Sequence, residues 1–441
     1  MKGIFSLFLT LRFFSLAGLA VAFFIFGFFL APFFTAALIF LFVLLFLLAA
    51  DVFLLCRTSG VSARRTLAEK LSNGEQNPVE LCVANEYPFA IRAEIIDELP
   101  FQFQNRDFLI RMKLAAGETA LSYSVRPVER GEYSFGSLHV YASSPLGMAQ
   151  RRYSFAADMA VPVYPSIIQM RKYDLFAISN RLAQVGVKKI RRSGASMEFD
   201  QIGNYVTGDD VRKINWKATA RKNDLMVNRY KDERSQNLYC VIDTSRVMKM
   251  PFRGMTLLDY AINSSLVISN IAIRREDRAG VVSFGNGPET ILPADRRYSQ
   301  IHKILELLYN IRTDFLESDY ERLCAVLSGK IARRSLLLLF TNFETLSSLR
   351  RNLKYLSMIA KKHFLVVIFF ENTELARLLS ERPATTEQVY IKTIAEKFSF
   401  EKKQIVKELE RHGIHAICTS PESLTIRAIN KYIELKARGL L

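Results

Sequence analysis

At 441 residues the chain is long enough for two or three domains, each with its own core, at roughly 150 residues per domain. Sixty Lys and Arg against 43 Asp and Glu leave a net charge of +17, which favours an anionic partner such as a membrane surface, nucleic acid or an acidic protein, without choosing among them. The five cysteines, Cys56, Cys82, Cys240, Cys324 and Cys418, are odd in number and form no CxxC pair, which argues against a disulfide framework or zinc knuckle and for reduced core thiols.

From Phe13 to Cys56 every residue is apolar or small except Asp51 near the end. A bilayer core needs about 20 apolar residues per helix, so residues 1–57 are predicted to form a transmembrane hairpin broken at Ala31-Pro32. A signal peptide is the competing reading. It fits poorly, because no small-residue cleavage site followed by polar sequence comes after the first apolar run. Lys2 and Arg12 flank one end and Arg57, Arg64 and Arg65 the other, while the turn carries no charge. Both termini and the soluble domains are therefore expected on the cytoplasmic side of the inner membrane. Asp51 is expected at the interface, an intramembrane functional carboxylate being the alternative.

Residues 58–165 read as a linker followed by a β-sandwich. The polar, basic stretch 58–74 is expected to be a juxtamembrane linker or short helix. From about Asn77 to Val163, short runs such as VELCVAN and SLHVYAS alternate apolar and polar residues between turns, the pattern of an antiparallel sandwich. In ERGEYSFG the period of two puts Tyr133 and Phe135 on one face.

Residues 166–237 form a charged connector with little periodicity but enough apolar content to dock. Its stretch GDDVRKINWKATARKNDLMVNRYKDE, residues 208–233, has no histidine or cysteine, so no nucleophile is paired with a base. Asp209 and Asp210 are adjacent in an extended segment and would point to opposite sides, which disfavours paired acid catalysis. Acidic residues interrupt the basic run of Arg212, Lys213, Lys217, Arg221 and Lys222 around Trp216, which disfavours a nucleic-acid patch. The expected arrangement is an ordered clamp in which both aspartates pair with nearby arginines and Trp216 anchors the segment on the following domain.

From Leu238 to the end, apolar strands alternate with helices, predicting an α/β fold with a doubly wound, mostly parallel sheet over residues 238–441. Ligands of such sheets sit at the carboxyl ends of the strands. That singles out Asp243 and Ser245, Phe284-Gly285, the loop at Thr313-Asp314, Thr341-Asn342 and Glu371-Asn372. No Walker loop, GxSxG elbow or HExxH is present, which disfavours an ATPase or dehydrogenase. His412 and His415 are expected as surface residues entering a strand. DTSRV, residues 243–247, resembles the DxSxS of the metal-ion-dependent adhesion site of von Willebrand factor A domains, in which an aspartate and hydroxyls hold Mg2+. The resemblance implies a degenerate Mg2+ site at Asp243, Ser245, Thr313 and Asn342, because Val247 cannot ligate and Asn342 stands where an aspartate is usual.

Residues 194–245 also resemble the signature of the bacterial DUF58 family: a G-x-x-x-E-F run, then R-x-Y-x-x-G-D-x-x-R-x-I-x-W-x-x-x-A-R, then a strand ending D-x-S. Glu198, Phe199, Tyr205, Gly208, Asp209, Arg212, Ile214, Trp216, Ala220, Arg221 and Asp243 match, and Asp210 sits inside the pattern. Gly203 stands where that signature has an arginine, and RGEYSFG and SPLGM resemble the family's N-terminal half, with Ser144 in place of an aspartate. The resemblance implies a von Willebrand A-like protein that works with a MoxR-type AAA+ ATPase as an adaptor in assembling or activating envelope or metal-dependent complexes. The expectation is a non-enzymatic, membrane-anchored interaction module binding no nucleic acid. The rivals are a metal-assisted hydrolase using Asp209, Asp210 and Asp243, and a membrane-proximal nucleic-acid binder.

Overall fold

The computed structural model describes residues 6–57, 60–178, 198–207, 209–231, 235–287, 289–313, 315–373, 375, 379, 383 and 385–438. The chain divides into two compact units, Met1–Tyr164 and Pro165–Leu441.

The first unit opens with a short strand, β1 (Leu7–Leu9), followed by α1 (Leu11–Phe29) and α2 (Ala31–Cys56). Both helices are long and apolar enough to cross a membrane. The break falls at Leu30, whose backbone is extended (φ −140°, ψ 111°), and Pro32 occupies the first turn of α2, where its missing N–H costs nothing. At this turn the chains approach closely. A Cβ on Gly27 would lie 2.8 Å from the Phe34 nitrogen, so only glycine fits.

The remainder of the unit is built from β2 (Val61–Leu67), β3 (Leu71–Ser72), β4 (Asn77–Asn85), β5 (Ile91–Asp97), β6 (Ile110–Leu114), β7 (Gly117–Val125), β8 (Gly131–Phe135), β9 (Leu138–Ser143), β10 (Ala149–Phe155) and β11 (Met159–Tyr164). They form sheets of order β1-β10-β9-β5-β6, β2-β4-β7 and β3-β11-β8. Strict in–out alternation along β4 and β5 places Val79, Leu81, Val83, Ile91, Ala93 and Ile95 in the core. Tyr133 and Phe135 are buried side by side, as their spacing requires. The stretch expected as a linker or helix is instead β2, paired antiparallel with β4 from Val61↔Asn85 to Leu67↔Val79. Its arginine pair conceals the alternation, because Arg65 faces inward. There it forms a buried ion pair with Asp97 and donates to the Gly136 and Ala157 carbonyls, while Tyr123 donates to the other Asp97 oxygen.

The end of α2 is part of this core. Leu55 is fully buried among Val61, Leu81 and Val140, and its carbonyl accepts from the Tyr87 hydroxyl (2.7 Å) and from Arg151 (2.7 Å). Asp51, near the end of α2, is fully buried within the first unit. Its carboxylate accepts from the Ser144 hydroxyl and from the backbone N–H of Met148 (2.7 Å) and Ala149 (2.8 Å). The SPLGM turn between β9 and β10 is thus a three-donor cradle for a helix carboxylate.

The second unit begins with α3 (Ile167–Ile178), then β12 (Glu198–Asn204), α4 (Trp216–Lys222) and β13 (Met226–Lys231). There follow β14 (Asn237–Asp243), the short pair β15 (Pro251–Phe252) and β16 (Met255–Thr256), α5 (Leu257–Arg274), β17 (Arg278–Phe284), β18 (Thr290–Asp295), α6 (Gln300–Asn310) and α7 (Tyr320–Lys330). The chain closes with β19 (Leu336–Phe340), α8 (Leu346–Lys362), β20 (Phe364–Phe370), α9 (Thr386–Arg411), β21 (His415–Thr419) and α10 (Leu424–Ala437).

One six-stranded sheet organises this unit in the order β18-β17-β14-β19-β20-β21. β14, β17, β19, β20 and β21 run parallel, and only the edge strand β18 is antiparallel. Its strands are continuous apolar runs because both faces are covered. Helices α7, α8 and α9 pack with Tyr239, Val241, Leu337, Leu339 and Val367 on one face. Helices α5 and α10 cover the other, and α5 is buried along nearly its whole length. A capping box at Thr256 and Asp259 starts α5. From β14 the chain winds out to β17 and β18, then returns to the opposite side of β14 as β19. The carboxyl ends of β14 and β19 therefore flank a switch point, where a sheet of this kind opens a crevice.

Candidate functional site

Asp243 is the last residue of β14, and Thr341 and Asn342 follow β19 directly. They line a cleft of about 290 Å³ together with Ser245, Ser318, Tyr320 and Arg351. Asp243 is buried, and its two oxygens are surrounded by donors. Oδ1 accepts from the Ser245 N–H (2.9 Å) and the Ser318 hydroxyl, and Oδ2 accepts from the Thr341 hydroxyl (2.6 Å). The Tyr320 hydroxyl lies 2.8 Å from Thr341 Oγ1 and 3.5 Å from Asp243 Oδ2, so four side chains share one network. Burial, with the negative Asp243 next to it, pushes the Tyr320 phenol well above its usual range and keeps it a donor.

Ser245 Oγ is buried without a hydrogen-bond partner among the described residues. It therefore has a lone pair to offer inside the cleft. At the rim Glu317 is bracketed by Arg246 (3.2 Å) and Arg351 (4.0 Å), all three exposed. Thr313 is absent from the cleft lining. It lies in the loop after α6, where its hydroxyl accepts from the Phe315 N–H (3.4 Å). The hydroxyl that reaches Asp243 is Ser318, which sequence reasoning missed because loop length, not spacing, decides which residue returns to the strand ends. Asp314 lies outside the described residues.

Asn342 differs from its neighbours. Its Oδ1 accepts from the Lys402 ammonium (2.8 Å), which also donates to the Phe343 carbonyl (2.6 Å). Burial pulls the Lys402 pKa down to about 8, and no carboxylate pairs with it among the described residues. Lys402 projects from α9 into a second, mostly apolar cavity of about 620 Å³ beyond β20, lined also by Phe370, Ile394 and Phe398.

A hard divalent cation prefers several anionic oxygens. The oxygen-only set here suits such an ion in kind, but it holds one carboxylate, and a lysine cation already occupies Asn342. No cluster of three His, Cys, Asp or Glu that could hold a metal occurs among the described residues. Asp243, Ser245, Ser318, Thr341 and Asn342 therefore do not fit a resident Mg2+.

The connector is more structured than its composition implies. β12 and β13 pair antiparallel, from Glu198↔Lys231 to Asn204↔Met226, and α4 closes the loop between them. Asn215 caps α4 by accepting from the Ala218 N–H (3.1 Å), and the Thr219 hydroxyl accepts from the Met226 N–H (3.0 Å). The expected aspartate–arginine pairs are absent among the described residues. Asp209 accepts from the Val206 N–H (3.1 Å) and Asp210 from the Arg212 N–H (3.0 Å), so both carboxylates hold turns of their own loop. Nor does Trp216 act as an anchor: it is 69% exposed, because the inward side of α4 is taken by Ala218 and Thr219. Tyr205 is half-buried, and its N–H donates to the Leu225 carbonyl (2.8 Å); Arg212 and Arg221 are exposed. Gly208 and the side chains of Glu198 and Phe199 lie outside the described residues.

His412 and His415 do not converge either. His415 stacks on Phe364 within the sheet (4.9 Å between centroids), whereas His412 Nδ1 lies against the Glu408 carbonyl at the end of α9.

The uncharacterized protein YeaD of Bacillus subtilis (strain 168) is 26% identical over 189 residues, 41% of this chain and 47% of YeaD. The match thus spans about half the length of that relative. Solved structures similar to a quarter or less of the chain include the CARDB domain of the PF1109 protein from Pyrococcus furiosus and the C-terminal domain of wzt. The first is 11% identical, covers 23% of this chain and 91% of that one, and gives a TM-score of 0.17. The second is 14% identical, covers 25% and 77%, and gives a TM-score of 0.19. Scores this low carry no conclusion about the chain. The family model described as protein of unknown function DUF58 matches residues 201–403, from the β12–β13 hairpin through Lys403 in α9, so this part of the chain is similar to that family.

Proposed function

We propose that the chain is a non-enzymatic, membrane-anchored interaction module whose second unit is von Willebrand A-like and docks a partner, a MoxR-type AAA+ ATPase, at the cleft around Asp243. The observation that carries this reading is the closed donor network on Asp243. Ser245, Ser318 and Thr341 all direct donors at one carboxylate, which occupies Asp243 and disfavours it as the base that activates a nucleophile. Around it stands an exposed rim of Arg246, Glu317 and Arg351, the mixed charge that suits a protein contact.

The strand order, with an acidic residue ending the strand at the switch point, supports the von Willebrand A-like reading. Anchoring rests on α1 and α2, and the cytoplasmic placement on the basic flanks of an uncharged turn. The hydrolase rival needs Asp209, Asp210 and Asp243 to share a metal, whereas the first two hold backbone turns and the third is saturated by hydroxyls.

The test is affinity purification of the tagged full chain from detergent-solubilised membranes, with and without Mg2+ and ATP, followed by mass spectrometry. Recovery of an AAA+ ATPase, lost with Arg246→Glu/Arg351→Glu, is expected. Equal recovery of the ATPase with that variant, or its absence under every condition, would overturn the docking assignment.

A further inference from the structure

The outward face of α4 and its flanking turns has no role in the docking cleft, yet it leaves several large apolar side chains exposed. Trp216 is 69% exposed, Val211 63%, Val206 58% and Leu225 46%. These side chains are not simply loose. The loop under them is pinned by the Asn215 and Asp210 caps, by Met226 N–H to Thr219, and by the buried Met226 and Val227. The segment is built rigidly and still leaves its large apolar groups outside.

Cations are interleaved with them. On α4, positions 217 and 221 lie one turn apart, so Lys217 and Arg221 share a side next to Trp216 and Ala220. Lys222 adds a third charge to a helix with no acidic residue, and Arg212 stands beside Val211. None of Arg212, Lys217, Arg221 and Lys222 pairs with a carboxylate among the described residues. The nearest acids in sequence are Asp209 and Asp210, engaged with backbone N–H groups, and the exposed Asp224.

A tryptophan flanked by aliphatic groups and unpaired Lys and Arg is the chemistry of a membrane–water interface. The indole sits at headgroup depth, and the cations attract anionic lipid. Nucleic acid would complement the charge, but it has no use for exposed Val206, Val211 and Leu225. The same chain also carries two apolar helices that hold it at a bilayer, where even a weak surface contact is maintained by high local concentration.

We propose that the turn–helix segment Asp209–Leu225 is a second, peripheral membrane contact, in which Trp216, Val211 and Leu225 enter the headgroup layer of an anionic leaflet and Lys217, Arg221 and Lys222 bind its phosphates. The contact rests on the anchoring part of the functional reading and is independent of the docking cleft.

Trp216 is the chain's single tryptophan, so its fluorescence reports on this surface alone. The full chain is reconstituted into nanodiscs of phosphatidylcholine, or of phosphatidylcholine with phosphatidylglycerol, each with and without brominated acyl chains. Co-elution of chain and disc reports the anchor, and Trp216 emission reports the contact. The expected result is a blue-shifted, bromine-quenched emission in anionic discs that reverts to the neutral-disc spectrum at high salt. Lys217→Gln/Arg221→Gln is expected to lower the bound-to-free ratio by roughly 30-fold. Water-exposed, unquenched emission in anionic discs that co-elute with the chain would overturn the proposal. So would emission that responds to added oligonucleotide but not to lipid.

Discussion

Asp51 sets the most demanding test of the first unit. Replacing it with alanine removes an acceptor from three donors at once: the Ser144 hydroxyl and the Met148 and Ala149 N–H groups. Each hydrogen bond to a charged acceptor is worth about 1.5–3 kcal/mol, and a stranded buried N–H costs about 1–3 kcal/mol. Because these overlap, the expected loss is about 5 kcal/mol, comparable with the whole stability of a marginal domain. Asn keeps the hydrogen-bond pattern and loses only the charge. The Met148 and Ala149 N–H groups share one Asp51 oxygen and the Ser144 hydroxyl faces the other, so an amide oxygen can accept from both N–H groups while its NH2 donates to Ser144 Oγ, and Asp51→Asn should cost less than Asp51→Ala. Ser144→Ala removes one of the three donors and should cost about 1–2 kcal/mol. Hydrogen exchange of the full chain in nanodiscs, followed by mass spectrometry on peptides covering residues 144–150, measures this directly. The 148 and 149 amides should lose protection in Asp51→Ala and keep most of it in Asp51→Asn and Ser144→Ala. Unchanged protection in Asp51→Ala would show that the carboxylate does not hold the turn, and would refute the reasoning.

Lys402 predicts a specific pH dependence. With its pKa lowered to about 8, the folded chain carries fewer protons than the unfolded chain between pH 8 and the ordinary 10.5, so wild-type stability should rise relative to Lys402→Met across that window, by up to about 3 kcal/mol. Below pH 8 the lysine is charged in both states and the difference between the two chains should be flat; parallel melting curves throughout would sink the assignment. In the sandwich, Arg65→Met strands the buried Asp97 charge and should cost about 3–5 kcal/mol in urea unfolding, most of it recovered in Arg65→Met/Asp97→Leu. A single-variant cost below about 1 kcal/mol would mean the pair behaves like a surface ion pair.

What the sequence made legible follows from range. The helical hairpin, the alternation of β4 and β5, and the apolar strands of the second unit are local patterns, and each appears where it was expected. What the local patterns do not carry is where a polar or amphipathic side chain finds its partner. Asp51 meets its donors 93 to 98 residues away, and Arg65 meets Asp97 32 residues away, so neither partner is visible in a local window. Trp216 was expected inward because indole is apolar, but helical phase decides direction, and Thr219 had already claimed the inner side. At the cleft, Asp243, Ser245 and Asn342 were identifiable from their positions at strand ends. Ser318 and Lys402 were not, since one returns through a loop of unfixed length and the other comes from a helix 60 residues beyond Asn342.

The central claim is that a partner ATPase sits over the cleft at Asp243. Site-specific photo-crosslinking in living cells tests it most directly. A benzophenone amino acid is placed at Arg351 on the cleft rim and, as a control, at Lys330 at the far end of α7, in the otherwise unaltered full chain. The account predicts a light-dependent adduct to an AAA+ ATPase from position 351 and none from 330. Equal adducts from both positions, or none from 351 in cells where the ATPase is present, would contradict it.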